Sequence, residues 1–206
     1  MKKTTDLEGV KNIAKVLLMT DIHKTPLSPM IVQHPFTSSG FVSLPKDTGH
    51  ALIDITADSE RLGAWQSAIK RQIDKTTSPY QIYLMINKPY GLSFLKFAEP
   101  YLSRKDYSEI LAGAWIMCEA PHNNPDLSLQ NMISMFKSAD PRYLMDENEY
   151  ETFQALDETV TVYRGVTPYN ADNVKALSWT LDQTTAEWFA HRFDEKGTVY
   201  EAQINK

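Results

Sequence analysis

The sequence predicts an α+β protein in which a mainly helical part, residues 1–157, packs on a β-rich part, residues 158–206. Two observations predict this division. Through most of the first part, apolar residues recur at intervals of three and four, which is typical of amphipathic helices. Residues 160–166 and 198–204 instead alternate apolar and polar side chains, which is typical of half-buried strands.

The length of the chain suits one domain of fair size or two small ones. It has 206 residues, and its hydrophobic content of 42% supports a packed core. No Gly/Ser-rich or charged linker separates Leu156 from Thr161. We therefore expect the two parts to share one core. Prompt proteolysis near Asp157 into two stable fragments would contradict this expectation.

Composition makes several classes of function unfavourable. A net charge of -5 argues against a general nucleic-acid footprint, which needs a basic face. The single cysteine, Cys118, lies on a predicted apolar helical stripe, where core packing is its expected role, and it leaves no intrachain disulfide or Cys-based zinc site. His23 and His34 are isolated in a proline-rich region, so no metal site is predicted.

The sequence also predicts a cytoplasmic protein without membrane contact. Asp6 and Glu8 follow the basic start of the chain, and Lys15 interrupts the apolar run 13–19, which is unlike an export signal. No apolar stretch approaches the ~20 residues that a membrane-spanning helix needs.

The first elements follow from capping and breaking residues. The tetrapeptide 5–8, Thr-Asp-Leu-Glu, has the form of a capping box and predicts an amphipathic first helix. Four prolines and two glycines then exclude a helix between Thr20 and His50. Only short extended pieces such as 30–33 and 40–44 are expected there, with a brief strand at 51–55.

Start signals predict most of the helices that follow. Asp58 or Ser59 caps the second helix, and Ser78, followed by Pro79 and Gln81, predicts a helix at 80–86 in spite of its β-like composition. Further helices are expected at 93–102, after Ser103, after Ser128 and at 145–156.

The β-rich part has a predicted order of strand, turn, strand, helix and strand. Its elements are a strand at 160–166, a turn at 167–173, a short strand at 175–180, a helix at about 185–193 capped by Asp182 or Thr184, and a strand at 198–204.

Three short motifs lie in this order. They are Tyr163-Arg164-Gly165 in the first strand, Ser178-Trp179-Thr180 in the second, and Trp188-Phe189-Ala190 in the helix. Together they resemble the ADP-ribosyltransferase family, in the branch marked by an arginine, a Ser-x-Ser/Thr strand and a late glutamate. The resemblance covers about the last fifth of the chain and depends on the order and spacing of the three motifs.

The late glutamate is where this sequence departs from the family. A Glu-x-Glu or Gln-x-Glu element is expected on a later strand, and none follows the strand at 198–204. Glu201 is the only carboxylate on that strand, and by its order in the chain it occupies a structural strand. We therefore expect either a shortened form or a form that lacks the catalytic carboxylate.

The resemblance implies that NAD is the substrate, that its ribose–nicotinamide bond is broken, and that ADP-ribose passes to a protein or another macromolecule. It implies a catalytic role for Arg164, Ser178 and Thr180, in which Arg164 pairs with a phosphate or ribose oxygen of NAD. The residues that it places against NAD are Tyr163, Arg164, Gly165, Ser178, Trp179 and Phe189. As a strand-end residue, Arg164 is expected to contribute little to folding.

Two functional hypotheses remain open. One is an active ADP-ribosyltransferase; the other is a catalytically silent module of the same fold that engages a partner protein or a nucleotide. Members of the family occur as toxins, phage-encoded modifiers and regulators, and the sequence does not choose among these settings. Taken singly, each motif also fits ordinary packing: an arginine at the surface, serine and threonine in a strand, and aromatic residues in a core.

Overall fold

The chain folds into two compact units that contain both helices and strands. The computed structural model describes residues 4–46, 49–118, 124 and 126–206. The units are Met1–Asp146 and Glu147–Lys206. The mixture of elements confirms the predicted α+β class. The division lies before the last helix of the predicted helical part, so that helix belongs to the second unit.

The first unit contains most of the helices. They are α1 (Leu7–Leu18), α2 (Ser59–Lys75), α3 (Pro79–Tyr83), α4 (Gly91–Ala98), α5 (Arg104–Met117), α6 (Leu129–Ser138) and α7 (Pro141–Leu144). Their apolar stripes form the core, as α5 illustrates, because Tyr107, Ile110 and Leu111 are fully or almost fully buried. Cys118, expected in the core, is half buried and caps the end of α5 through its backbone N–H.

Side chains at the helix starts explain where two of these helices begin. Ser78 accepts a hydrogen bond from the backbone of Gln81, which confirms a helix at α3. The predicted cap of α1 was one residue too early, because Asp6 accepts the bond from Gly9. Thr5 is used elsewhere: its hydroxyl donates to the Asp106 carboxylate and thereby ties the start of the chain to α5.

The proline-rich region of the first unit forms two small antiparallel sheets. One contains β1 (His23–Thr25), β2 (Ser28–His34) and β3 (Thr37–Ser39), and the other pairs β4 (Phe41–Lys46) with β5 (Gly49–Asp54). The expected extended pieces are confirmed. Sequence periodicity indicates which segments are extended, but it does not indicate which of these strands pair with each other.

The second unit is a two-stranded antiparallel sheet, called the hairpin below although its strands are far apart in the chain, with a helix packed on it. Its elements are α8 (Glu147–Ala155), β6 (Thr159–Val166), a 3-10 helix at Pro168–Asn173, α9 (Gln183–His191) and β7 (Thr198–Asn205). β6 and β7 pair antiparallel without a register shift, from Thr159 opposite Asn205 to Val166 opposite Thr198. The two predicted outer strands are confirmed.

The predicted middle strand at 175–180 is wrong. These residues are irregular, and only Thr180 forms a bridge, to Tyr163. The backbone does not stay extended because it curls around two side chains: the carbonyl of Ser178 turns toward Arg164, and the carbonyl of Ala176 accepts the indole N–H of Trp179.

Helix α9 lies against the hairpin through small residues. A Cβ atom on Gly165 would collide with the carbonyl oxygen of Ala186 and would lie 2.6 Å from the nitrogen of Ala190. Both alanines are fully buried. The helix was expected to reach Phe193 but ends at His191, because Phe193 adopts a left-handed backbone conformation with φ of 65°.

Candidate functional site

The motif residues of the second unit meet at the open edge of β6. Tyr163 and Thr180 exchange two backbone hydrogen bonds of 2.7 and 2.9 Å. This bridge brings the Ser178-Trp179-Thr180 segment beside Tyr163-Arg164-Gly165. These two motifs are therefore neighbours in space, although they are separated in the chain by a 3-10 helix and a loop. The third motif lies against the first through the close packing of Gly165 on Ala190.

Arg164 is the central residue of the site. Its side chain is buried, with only 9% of its surface exposed. Its Nη1 donates to the backbone carbonyl of Ser178 at 2.5 Å, and its Nη2 donates to that of Asn173 at 3.4 Å. The expectation that Arg164 ends its strand is wrong, because β6 continues to Val166. The small contribution to folding that was expected of it stays a prediction, and its burial and its two contacts with the following loop argue against it.

The charge of Arg164 has no described carboxylate to neutralise it. No ion pair among the described residues includes this guanidinium. Its Nε–H is also buried, and no described residue accepts a hydrogen bond from it. Burial without a negative partner lowers the pKa of Arg164. Because buried charges are ordinarily paired, the site is suited to an anion.

Glu201 does not supply that negative charge. In the register of the hairpin it stands opposite Tyr163, whereas Arg164 stands opposite Tyr200. Directly opposed residues of an antiparallel pair share a face, and neighbours along a strand take opposite faces. Glu201 and Arg164 therefore lie on opposite faces of the hairpin.

The residues of the Ser178-Trp179-Thr180 segment have different surroundings. Ser178 is exposed and meets Arg164 through its carbonyl oxygen. The hydroxyl of Thr180 accepts a hydrogen bond of 3.1 Å from the backbone of Asp182, the residue that caps α9. The half-buried ring of Trp179 is fixed through its N–H, 2.8 Å from the carbonyl of Ala176. Ser178 thus contacts Arg164 through its backbone, whereas the side chains of Trp179 and Thr180 fix the segment and the start of α9.

Phe189 belongs to an aromatic group on α9. Its ring is 42% exposed and meets the ring of Trp188 edge-on, with 4.9 Å between centroids. The Arg192 guanidinium lies 5.5 Å from the Phe189 ring and 5.4 Å from that of Phe193. The described ring contacts of Phe189 are thus with its own helix and the turn after it. No described ring contact joins Phe189 to Arg164; the Cβ of Phe189 instead lies 3.0 Å from the place that a Cβ on Gly165 would take.

Sequence reasoning missed the acceptors around Arg164. The carbonyls of Asn173 and Ser178 are backbone groups, which carry no residue-type signal. It also missed Tyr169, a residue of the 3-10 helix at Pro168–Asn173 that is 84% exposed. The Glu195 carboxylate accepts a hydrogen bond from the Tyr169 phenol and raises its pKa. A tyrosine directly after Pro168 in a turn was the available signal for this exposed ring.

The described residues contain neither a group of three or more side chains placed to hold a metal ion nor a helix that could cross a membrane. Within ranges 4–46, 49–118 and 126–206, no three His, Cys, Asp or Glu side chains gather in an arrangement that could hold a metal ion. None of the described helices combines the length and apolar composition that crossing a bilayer requires.

Comparisons of the chain with protein-family models, with curated proteins and with solved structures find no match.

Proposed function

We propose that the chain is an NAD-dependent ADP-ribosyltransferase that modifies a protein or another macromolecule, with Arg164 as its contact to the dinucleotide. One observation carries this proposal: a buried guanidinium that lacks a described carboxylate partner and keeps an unused buried N–H. A phosphate would supply the missing negative charge and accept charge-assisted hydrogen bonds from the planar fork.

The proposed roles of the other residues follow from their places around Arg164. Ser178 and Thr180 hold the wall of the site, since one accepts from Arg164 and the other bridges Tyr163. The exposed hydroxyl of Ser178 stays available to a ligand. Trp179 lies between Ser178 and Thr180 in the chain, and an aromatic face attracts a cationic nicotinamide ring by about 0.5 to 2 kcal/mol.

The chemistry would be loss of nicotinamide from the ribose through an oxocarbenium-like state. That state needs a preorganised negative partner, and the acceptor needs a group that activates it. Glu201 is on the opposite face of the hairpin from Arg164 and fits neither role. We therefore expect residues 1–206 to bind NAD but to transfer ADP-ribose only slowly.

This placement of Glu201 also favours a second candidate function, a catalytically silent binding module. Such a module would use the Arg164 site to hold a nucleotide or an acidic group of a partner without breaking a bond. The two functions share the anion site and differ only in whether ADP-ribose is transferred to an acceptor.

Calorimetry with NAD and the full chain tests the shared step. Arg164→Lys should weaken binding at least about tenfold, because an ammonium cannot reproduce two parallel hydrogen bonds. Arg71→Lys is the matched control, since Arg71 is exposed on α2 in the other unit, and it should bind as the parent does. Circular dichroism must show that both variants are folded. Inorganic pyrophosphate should compete with NAD. Absence of NAD binding by the folded parent chain would refute the transferase and a module that holds NAD, and absence of both NAD and pyrophosphate binding would refute the anion site that the two functions share.

Labelling separates the two functions. A cell lysate is incubated with the chain and NAD that carries a label on the adenine. Labelled macromolecules that disappear in Arg164→Lys support the transferase. Binding without labelling supports the silent module, and labelling that is lost in Glu201→Gln would contradict the assignment of Glu201 to the opposite face.

A further inference from the structure

The first unit contains a groove that none of the sequence motifs predicts. Its volume is about 440 Å³, which lies within the range of roughly 300–1,000 Å³ typical of small-molecule sites. The walls come from α1, the first sheet, α4 and the segment just before α4. Its apolar members are Ile13, Val16, Leu17, Pro35, Tyr90 and Phe97.

Several of these apolar side chains are exposed although they line a concave surface. Val16 is 67% exposed and Phe97 is 45% exposed. A ligand with an apolar body would remove this surface from water, at a gain of roughly 25 cal/mol for each Å² covered. The groove therefore offers binding free energy that the chain by itself does not use.

The ionisable side chains among the lining residues of the groove, apart from one tyrosine phenol, are two carboxylates and the imidazole of His23. Asp21 and Asp126 contribute to its wall, and neither belongs to an ion pair of the described residues. The ammonium group of Lys96 donates to the backbone carbonyl of Asp126 at 2.6 Å and lies 5.9 Å from the Phe97 ring. It is thus held by a carbonyl and does not neutralise both carboxylates.

Aromatic rings stand beside these carboxylates. Tyr90 lines the groove, and burial, together with the nearby negative charge of Asp126, raises the pKa of its phenol. Tyr90 therefore remains a neutral ring. Carboxylates beside neutral aromatic rings suit an organic ammonium ion, which is attracted both by charge and by the faces of the rings.

We propose that this groove binds a small amphiphilic amine, whose apolar body lies against α1 and α4 and whose ammonium group faces Asp21 and Asp126. A carboxylate or phosphate ligand would meet two like charges instead. The proposal is independent of the NAD site, since all the groove residues belong to the first unit.

Three small molecules with the same number of carbon atoms test which head-group charge the groove prefers. Octylamine, octanol and octanoate carry the same apolar body with a positive, a neutral and a negative head. Binding to the full chain is measured by calorimetry at neutral pH, at low and at high salt. Octylamine should bind most tightly and octanoate least, and salt should reduce the difference because exposed charges are screened. Equal binding of octylamine and octanoate, or no binding of octylamine, would overturn the proposal.

Substitutions locate the site. Asp21→Asn and Asp126→Asn should each weaken octylamine up to about fivefold, the scale of a partly exposed charge pair, and leave octanol unchanged. Asp157→Asn, an exposed carboxylate of the second unit, is the control and should change nothing. Val16→Lys, at an exposed position of the groove, should weaken octylamine and narrow its advantage over octanoate, because it adds a positive charge beside the two carboxylates. An unchanged ratio of the two affinities in Val16→Lys would place the amine elsewhere and refute the site.

Discussion

Replacing Arg164 by lysine tests whether this residue supports the fold as well as the proposed site. In the parent chain, its guanidinium bonds two backbone carbonyls of the loop after β6, those of Asn173 and Ser178. A lysine keeps the positive charge but ends in a single ammonium group. At this depth it can reach at most one of the two carbonyls.

The size of the effect follows from these contacts. A hydrogen bond from a charged group contributes about 1.5–3 kcal/mol, and a buried acceptor left without a donor costs about 1–3 kcal/mol. We expect the free energy of unfolding to fall by roughly 2 kcal/mol in Arg164→Lys. For a chain of this length, that corresponds to a decrease in Tm of about 4–8 °C.

Urea denaturation followed by circular dichroism measures this difference. Arg71→Lys, at an exposed position, should remain within about 0.5 kcal/mol of the parent. If Arg164→Lys is equally neutral, the two carbonyl contacts do not stabilise the loop, and the structural role of Arg164 is refuted. If stability falls while NAD affinity is unchanged, the residue is structural only, and the proposed phosphate contact is wrong.

Two further predictions concern glycine packing and pH. Gly165→Ala should destabilise by at least about 2 kcal/mol, because its Cβ would collide with the backbone of α9, whereas Gly63→Ala, which meets nothing within 4 Å, should stabilise α2 by about 0.5–1 kcal/mol. Urea midpoints of the two variants should move in opposite directions, and a neutral Gly165→Ala would contradict the close packing. Burial lowers the pKa of His34, with partial compensation by two backbone carbonyls. The native state therefore favours the neutral ring, and the unfolded state binds more protons once the pH falls below the ordinary value of about 6.5. Stability should decrease with falling pH from that point, by at most about 1.4 kcal/mol per pH unit from this group. Urea titrations of His34→Gln should lose this component, while the exposed His50→Gln keeps it; an unchanged pH profile in His34→Gln would show that another group is responsible.

Local sequence signals determined the regular elements of this protein. Alternation at period two predicted β6 and β7 nearly to the residue, because one face of each strand packs and the other meets solvent. Capping chemistry offered Asp182 or Thr184 as the cap of α9, of which the structure uses Asp182, and it favoured helix over strand at α3, since both depend on hydrogen bonds within four residues. The three-and-four periodicity likewise predicted the stripe of α5. Each of these signals is local in the chain.

The tertiary structure decided what the site contains. The sequence placed Arg164 at the end of a strand, but whether its side chain is buried depends on a loop that returns to cover it. The same loop replaced the predicted strand at 175–180, because the guanidinium draws the Ser178 carbonyl out of an extended conformation. The pairing register set Glu201 on the face opposite Arg164, and no periodicity within one strand reports the register with another. The burial of Arg164, the irregular segment at 175–180 and the placement of Glu201 all follow from contacts between segments that are distant in the chain. Such contacts depend on where the chain folds back, which neighbouring residues in the sequence do not report.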